Sequence, residues 1–186
     1  MQIPRRSANP NNGGNIALRD TILPEFDHEM ATTRRTLERV PEDNPDWKPH
    51  EKSMTMARLA GHLAELPSFV VTALRDDSFN IRPAGGGPTR QPLVMTSRKQ
   101  LLEAFDKNVT ELRTTLSSAS DETLLKTWTL FAGDKTIFSA PRIGVIRSFC
   151  LNHVIHHRAQ LGVYLRLNNV PVPSVYGPSA DENPFL

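Results

Sequence analysis

The sequence predicts an all-α protein: a four-helix bundle with a short β-hairpin before the last helix and an extended C-terminal tail. Four segments repeat apolar residues at spacings of three and four, the period of an amphipathic helix. Connections rich in proline and glycine separate them. The one stretch of β-branched and aromatic residues is too short for a sheet-based domain. We therefore expect one domain over residues 19–186 after a flexible leader over residues 1–18.

The first two predicted helices each have candidate N-caps and an apolar stripe. Asp20 is a plausible N-cap for helix one, Pro24 falls in its first turn, and Pro41 ends it. Its expected core face consists of Ile22, Phe26, Met30, Thr33, Leu37 and Val40. Helix two is expected to begin near Ser53 or Thr55. Its expected core face consists of Leu59, His62, Leu66, Phe69 and Ala73.

The second half of the chain predicts two more helices with a hairpin between them. Residues 76–93 are expected to form a surface loop, and Ser97 then begins a capping box for helix three. The apolar face of that helix consists of Leu101, Leu102, Phe105, Val109, Leu112 and Leu116. Residues 126–138 are expected to form the hairpin around a Gly-Asp turn. Ser139 is the possible N-cap of helix four, with Pro141 in its first turn.

Composition excludes several classes of protein. The formal charge is only +2, and the basic residues are scattered among acidic ones, so a nucleic-acid or membrane-surface binder is not expected. A single cysteine, Cys150, cannot form an intramolecular disulfide, which fits a reducing cytosol. No apolar segment reaches the length of a membrane helix, and the N-terminus does not resemble a signal peptide. We expect a cytoplasmic protein.

Three histidines form the candidate metal site. His153 and His157 are four residues apart, so on a helix they project from the same face about one turn apart. Both lie on the apolar stripe of helix four, and His62 lies on that of helix two. Polar rings in an apolar core need partners, and three inward imidazoles can share one cation. The pattern predicts that His62, His153 and His157 bind a divalent metal ion.

Simpler interpretations exist for each polar residue near this site. A single core histidine is more often hydrogen-bonded to a carbonyl or carboxylate than bound to a metal. His156 and His28 are expected to lie off the site, and His50 lies in a loop that could fold over it. Glu65, one turn after His62, would orient a ligand histidine, act as a base, or simply pair with an arginine.

The motifs around these histidines resemble the DinB/YfiT-like superfamily. The residues that carry the likeness are Leu-Ala-Gly-His-Leu-Ala-Glu-Leu around His62, Asn-His-Val-Ile-His-His-Arg-Ala-Gln at 152–160, and Trp-Lys-Pro-His at 47–50. The resemblance covers about residues 19–182, and Ala159 stands where many relatives have glycine. It implies a four-helix bundle with a three-histidine site at His62, His153 and His157, holding nickel or zinc, and a homodimer.

The resemblance also implies a range of activities. Characterised members of the family include transferases and isomerases that use low-molecular-weight thiols. We therefore expect a metal-dependent transferase that activates such a thiol as its small-molecule substrate, with Glu65 or His50 relaying protons. Two alternatives stay open: a non-catalytic, stress-related metal-binding bundle, and a metal-dependent hydrolase. Three imidazoles leave a coordination position free, as in catalytic sites, but they do not identify the metal.

Overall fold

The computed structural model describes residues 16–86 and 90–185, and the predicted helical bundle is confirmed. In chain order the elements are α1 (Leu18–Leu37), α2 (Met56–Arg75), β1 (Ser78–Asn80), α3 (Arg98–Ser117), α4 (Asp121–Leu125), β2 (Thr127–Ala132), β3 (Lys135–Pro141), α5 (Arg142–Ile146), a π-helical turn (Arg147–Leu151) and α6 (Asn152–Leu167). The predicted leader lies outside the described residues up to residue 15, and Leu18 already belongs to α1. No helix in the described part of the chain is long and apolar enough to cross a membrane.

Helix starts follow local capping chemistry in two of the long helices. The hydroxyl of Thr55 accepts a hydrogen bond from the Arg58 N–H, and that of Ser97 accepts one from the Gln100 N–H, as the sequence predicts. The predicted cap at Asp20 is wrong, because α1 begins two residues earlier. There the Leu18 N–H donates to the Asp121 carboxylate at 2.8 Å, so a distant residue supplies the cap.

A three-stranded sheet in the order β1-β2-β3 packs beside the bundle. The hairpin of β2 and β3 is confirmed, and Gly133 takes the left-handed φ of +62° that its turn requires. The prediction that residues 76–93 form only a loop is wrong, because β1 pairs with β2 in parallel. The prediction that Ser139 caps the last helix is also wrong. Ser139 lies in β3 opposite Thr129, and α5 begins only at Arg142.

Buried side chains form two clusters. The larger fills the bundle, and all six predicted core residues of α1 are within it or buried beside it. The smaller cluster joins the sheet to the helices through Ala73, Trp128, Leu130 and Val145. The π-helical turn lies where α5 and α6 meet. Val145 before it belongs to the smaller cluster, whereas Ile146 and the buried apolar residues after it belong to the bundle core.

The C-terminal tail folds back over α1 and α6. Arg158 and Glu29 form a buried ion pair at 2.7 Å, with side chains 3% and 6% exposed. The Tyr176 hydroxyl, from the tail, donates to the Glu29 carboxylate at 2.8 Å and accepts from Arg158 at 2.9 Å. A second ion pair joins Arg39 to Glu182 at 2.5 Å. The tail thus supplies a hydrogen-bond donor to the buried Glu29 carboxylate through Tyr176.

Candidate metal centre

The structure brings the three predicted histidines together from two helices. α2 presents His62, and α6 presents His153 and His157. The Nε2 atoms of His62 and His153 are 3.4 Å apart, and those of His153 and His157 are 2.9 Å apart. One ligand atom from each of the three residues lies within 4.8 Å of the others. The rings therefore face one small volume between α2 and α6.

The His62–His153 and His153–His157 separations fit a shared divalent ion. Two imidazole nitrogens that each lie about 2.0–2.1 Å from one ion are separated by roughly 2.9–3.4 Å when the angle between them is about 90–110°. The two observed Nε2 separations fall at the ends of that interval. Three imidazole nitrogens suit zinc, nickel, copper or iron, so the donor set fits a transition metal without selecting one.

The outer ring nitrogens are fixed by acceptors. His62 Nδ1 lies 2.8 Å from Oε1 of Glu65, and His157 Nδ1 lies 2.7 Å from Oε1 of Gln160. A carboxylate and an amide oxygen only accept, so each Nδ1 carries the proton and donates it. The Nε2 atoms of both rings then present lone pairs to the shared volume, the tautomer that a metal ligand needs.

Glu65 is the centre of a half-buried hydrogen-bond network. Its Oε1 accepts from Arg58 at 2.6 Å as well as from His62, and its Oε2 accepts from the Leu93 N–H at 2.7 Å. Arg58 also donates to the Leu93 carbonyl at 3.0 Å. Burial alone would raise the pKa of Glu65, but these hydrogen bonds outweigh it and lower the pKa below its ordinary value. Glu65 is therefore ionised at neutral pH and already accepts from three donors.

The imidazoles of His153 and His157 are held neutral. Burial, followed by the neighbouring rings of His157, His62 and His156, lowers the pKa of His153 to about 4. Burial also lowers the pKa of His157, against the raising effect of Gln160. Neutral rings keep their lone pairs at neutral pH, and metal binding requires those lone pairs.

The comparisons with known proteins agree with this geometry. A family model described as the DinB superfamily matches residues 25–161, which is most of the chain. The chain belongs to the DinB superfamily.

Three similar proteins each share less than a quarter of their sequence with this chain. The protein YrdA of Bacillus subtilis strain 168 is 23% identical over 166 residues, covering 88% of this chain and 90% of YrdA. A DinB-like protein from Bacillus cereus superposes with a TM-score of 0.68 at 21% identity, covering 86% of this chain and 98% of its own. The DinB-like protein YjoA of Bacillus subtilis gives 0.62 at 17% identity, covering 83% and 96%. At such identities the two structures establish the fold.

The other histidines of this DinB protein lie outside the three-histidine group. His50 is exposed, and its Nδ1 accepts a hydrogen bond from the Lys52 N–H at 3.2 Å. It belongs neither to the three-histidine group nor to the walls of the cavity beside it, as far as the described residues go. His156 and His28 are exposed, as expected. Glu65 lies beside the three histidines and His50 lies away from them; the proton relay by Glu65 or His50 stays a prediction.

Two contacts at the site were not predicted from the sequence, those of Gln160 and Leu93. Gln160 follows His157 by three residues, just as Glu65 follows His62, so a search for an acceptor three residues after each histidine would have found it. The arginine that pairs with Glu65 is Arg58. Leu93 contributes through its backbone, and no side-chain pattern predicts that contact.

A cavity of about 550 Å³ opens beside His62 and His153. It lies between α2, α3 and the sheet, and its volume is typical of small-molecule sites, which span about 300–1,000 Å³. The histidine group therefore borders a space large enough for a substrate.

Proposed function

We propose that this protein is a metal-dependent transferase that holds nickel or zinc through His62, His153 and His157 and activates a low-molecular-weight thiol. The observation that carries the proposal is the convergence of three imidazole Nε2 atoms from two helices, with two of the rings oriented by Glu65 and Gln160. The adjoining cavity gives a small molecule access to that point.

Some residues of the chain would orient the metal-binding rings, and others would exclude water from the site. A divalent ion at the three imidazoles would lower the pKa of a thiol that binds to it, so that a thiolate is available at neutral pH. Glu65 and Gln160 keep the protons of His62 and His157 on Nδ1. The apolar walls of the cavity limit the access of water to the reacting atoms. In the transfer, a sulfur–carbon bond forms, the leaving group departs with its electron pair, and the thiol proton passes to solvent.

Of the two alternatives, a non-catalytic metal-binding role has more support than hydrolysis. The Glu65 network joins α2 to the backbone of Leu93, so an ion at His62 would also stabilise the packing of that segment. Hydrolysis would need a base beside an attacking water. Glu65 already accepts from His62, Arg58 and Leu93, which favours an orienting role.

We also propose that the protein acts as a homodimer in the cytoplasm, on a small molecule rather than a nucleic acid or a membrane. The support is the family resemblance, the small net charge and the single buried cysteine. Sedimentation equilibrium of the full chain checks the dimer, and a single species at the monomer mass would contradict it.

Elemental analysis of untagged protein, purified without chelator, tests the metal site. We expect about one divalent ion per chain, and loss of most of it in His62→Ala and in His157→Ala. His28→Ala, an exposed histidine on α1, is the matched control and should retain the metal. Circular dichroism establishes that each variant is folded.

Turnover tests the reaction. Metal-loaded protein is assayed for thioether formation between bacterial low-molecular-weight thiols and a panel of activated electrophiles, and the rate should fall to background in His157→Ala. Absence of turnover across the panel, combined with a large loss of thermal stability on chelation, would favour the non-catalytic role.

A further inference from the structure

The cavity beside the histidines has an apolar interior. Phe69 and Leu66 of α2, Leu130 of β2 and Phe149 of the π-helical turn contribute to its walls. Phe69 and Phe149 pack against each other with ring centroids 5.6 Å apart, so the wall they form is aromatic. Such a surface binds the apolar part of a ligand, because transfer of that part from water is favourable.

Two cationic side chains also line this cavity. Arg90 and Lys107 are both exposed, and neither lies within ion-pair distance of a carboxylate in the described part of the chain. Arg90 donates to the Ser68 hydroxyl at 3.0 Å, which fixes the guanidinium without neutralising it. The acidic group in the walls, Glu65, is already paired with Arg58. The cavity therefore has an excess of positive charge.

The charge of Arg90 lies at some distance from the histidines. His62 and Ser68 are six residues apart on α2, which corresponds to about 9 Å along the helix axis. Arg90 donates a hydrogen bond to Ser68, so its guanidinium lies toward the Ser68 end of the α2 wall, away from His62. A ligand that reaches both ends needs an apolar body of that length and an anionic group at one end.

We propose that the cavity binds an organic carboxylate with an apolar, preferably aromatic, body. Its carboxylate lies at Arg90 and Lys107, its body contacts Phe69 and Phe149, and its far end lies beside His62 and His153. The guanidinium of Arg90 offers the planar pair of N–H donors that a carboxylate accepts. The inference rests on the proposed function only in treating the histidine end as the reacting end; the binding itself is independent of the metal.

Calorimetric titration with a charge-matched series tests the proposal. The probes are phenylbutyrate, phenylbutanol and phenylbutylamine, which share one body and differ in the terminal group. Each is titrated into metal-loaded and chelator-treated full-length protein, since a carboxylate would also coordinate a metal. We expect phenylbutyrate to bind about ten-fold more tightly than the alcohol in both forms, with the amine weakest. Phenylacetate, which is too short to reach both ends, should bind more weakly than phenylbutyrate.

Substitutions locate the site. Arg90→Gln and Lys107→Gln should each weaken phenylbutyrate binding several-fold, and together they should abolish its preference over the alcohol. Lys99→Gln, at an exposed position of the same helix as Lys107, is the control and should change nothing. Ala104→Phe, which places a ring in the cavity, should eliminate binding of all the probes.

The possible outcomes separate this inference from the proposed function. Equal affinity for the acid and the alcohol, or binding that survives Ala104→Phe, overturns the carboxylate site even if metal analysis succeeds. Carboxylate preference in a protein that binds no metal supports the carboxylate site and contradicts the metal-dependent transferase.

Discussion

The two halves of the histidine site are held in different ways. On α2, His62 depends on Glu65, which in turn depends on Arg58 and on the backbone of Leu93, 28 residues further along the chain. On α6, His157 depends on Gln160 within the same turn of helix. One half therefore requires correct tertiary packing, while the other requires little more than a continuous helix. Substitutions that disturb packing should affect the α2 half first.

The largest effect that we expect is the protection of Cys150 from alkylation, which tests the packing of the α6 half. It is fully buried in the π-helical turn, and burial raises its pKa from 9.0 to about 12. At about pH 8 the thiolate is then about a thousand-fold scarcer than for an exposed thiol, so alkylation should be slower by at least that factor. Mass spectrometry after brief treatment with iodoacetamide, with and without urea, measures it. Rapid labelling of the native protein would show that this half opens readily.

Paired glycine substitutions compare the packing of the two halves. A Cβ at Gly61 of α2 would lie 2.1 Å from the Leu93 carbonyl oxygen, so Gly61→Ala must displace the segment that binds Arg58 and Glu65. We expect a loss of about 2–4 kcal/mol in the free energy of unfolding. A Cβ at Gly162 of α6 would meet only the Val172 side chain at 3.8 Å. Gly162→Ala should be neutral or stabilise by up to about 1 kcal/mol, through helix propensity.

Urea unfolding of the two variants measures that difference. Cys150 in Gly61→Ala should stay protected in the absence of urea, which would show that the damage is confined to the α2 half. Equal stabilities of the two variants would contradict the distinction between the halves.

Removal of the acceptors behind His62 and His157 should weaken metal binding unequally. Glu65→Gln leaves Arg58 without its counter-charge and should lower affinity for zinc by about 10–100-fold. Gln160→Ala removes one neutral acceptor at an exposed position and should lower it by about ten-fold or less. Competition with a chromophoric chelator measures both. A larger effect at Gln160 would reverse the order that the hydrogen bonds predict.

His156 should give the smallest effect. Its exposed ring meets that of His157 edge-on, with centroids 4.8 Å apart, but it does not belong to the converging group. His156→Ala should therefore change metal affinity by no more than about two-fold, since a neighbouring residue affects a metal ligand mainly through a hydrogen bond to its outer ring nitrogen. The same competition assay checks this, and a loss comparable to that of His157→Ala would implicate it as a ligand.

The sequence predicted what local chemistry determines. Apolar periodicity identified the core faces of the four long helices, and the hydroxyls of Thr55 and Ser97 marked two helix starts. It also placed the three histidines on inward faces of α2 and α6, because a spacing of four and an apolar stripe are properties of the helix itself.

Long-range pairing determined what the sequence did not predict. β1 has only three residues, and its strand character comes from its partner β2. Ser139 could have capped a helix, but its backbone is drawn into β3 by the pairing with Thr129. The cap of α1 comes from Asp121, more than a hundred residues away. For the same reason the Leu93 contact with Glu65 could not be foreseen.

The π-helical turn has a consequence for anyone transplanting this site. A π turn contains one residue more than a regular turn of α-helix, and removing a residue rotates everything before it by about 100° relative to everything after it. Deletion of one residue from Arg147–Leu151 would leave a smooth helix on which Phe149 and the pair His153 and His157 no longer face their present neighbours. On an idealised straight helix the same residues would therefore be misoriented, so a transferred site must include the π-helical turn together with the histidines.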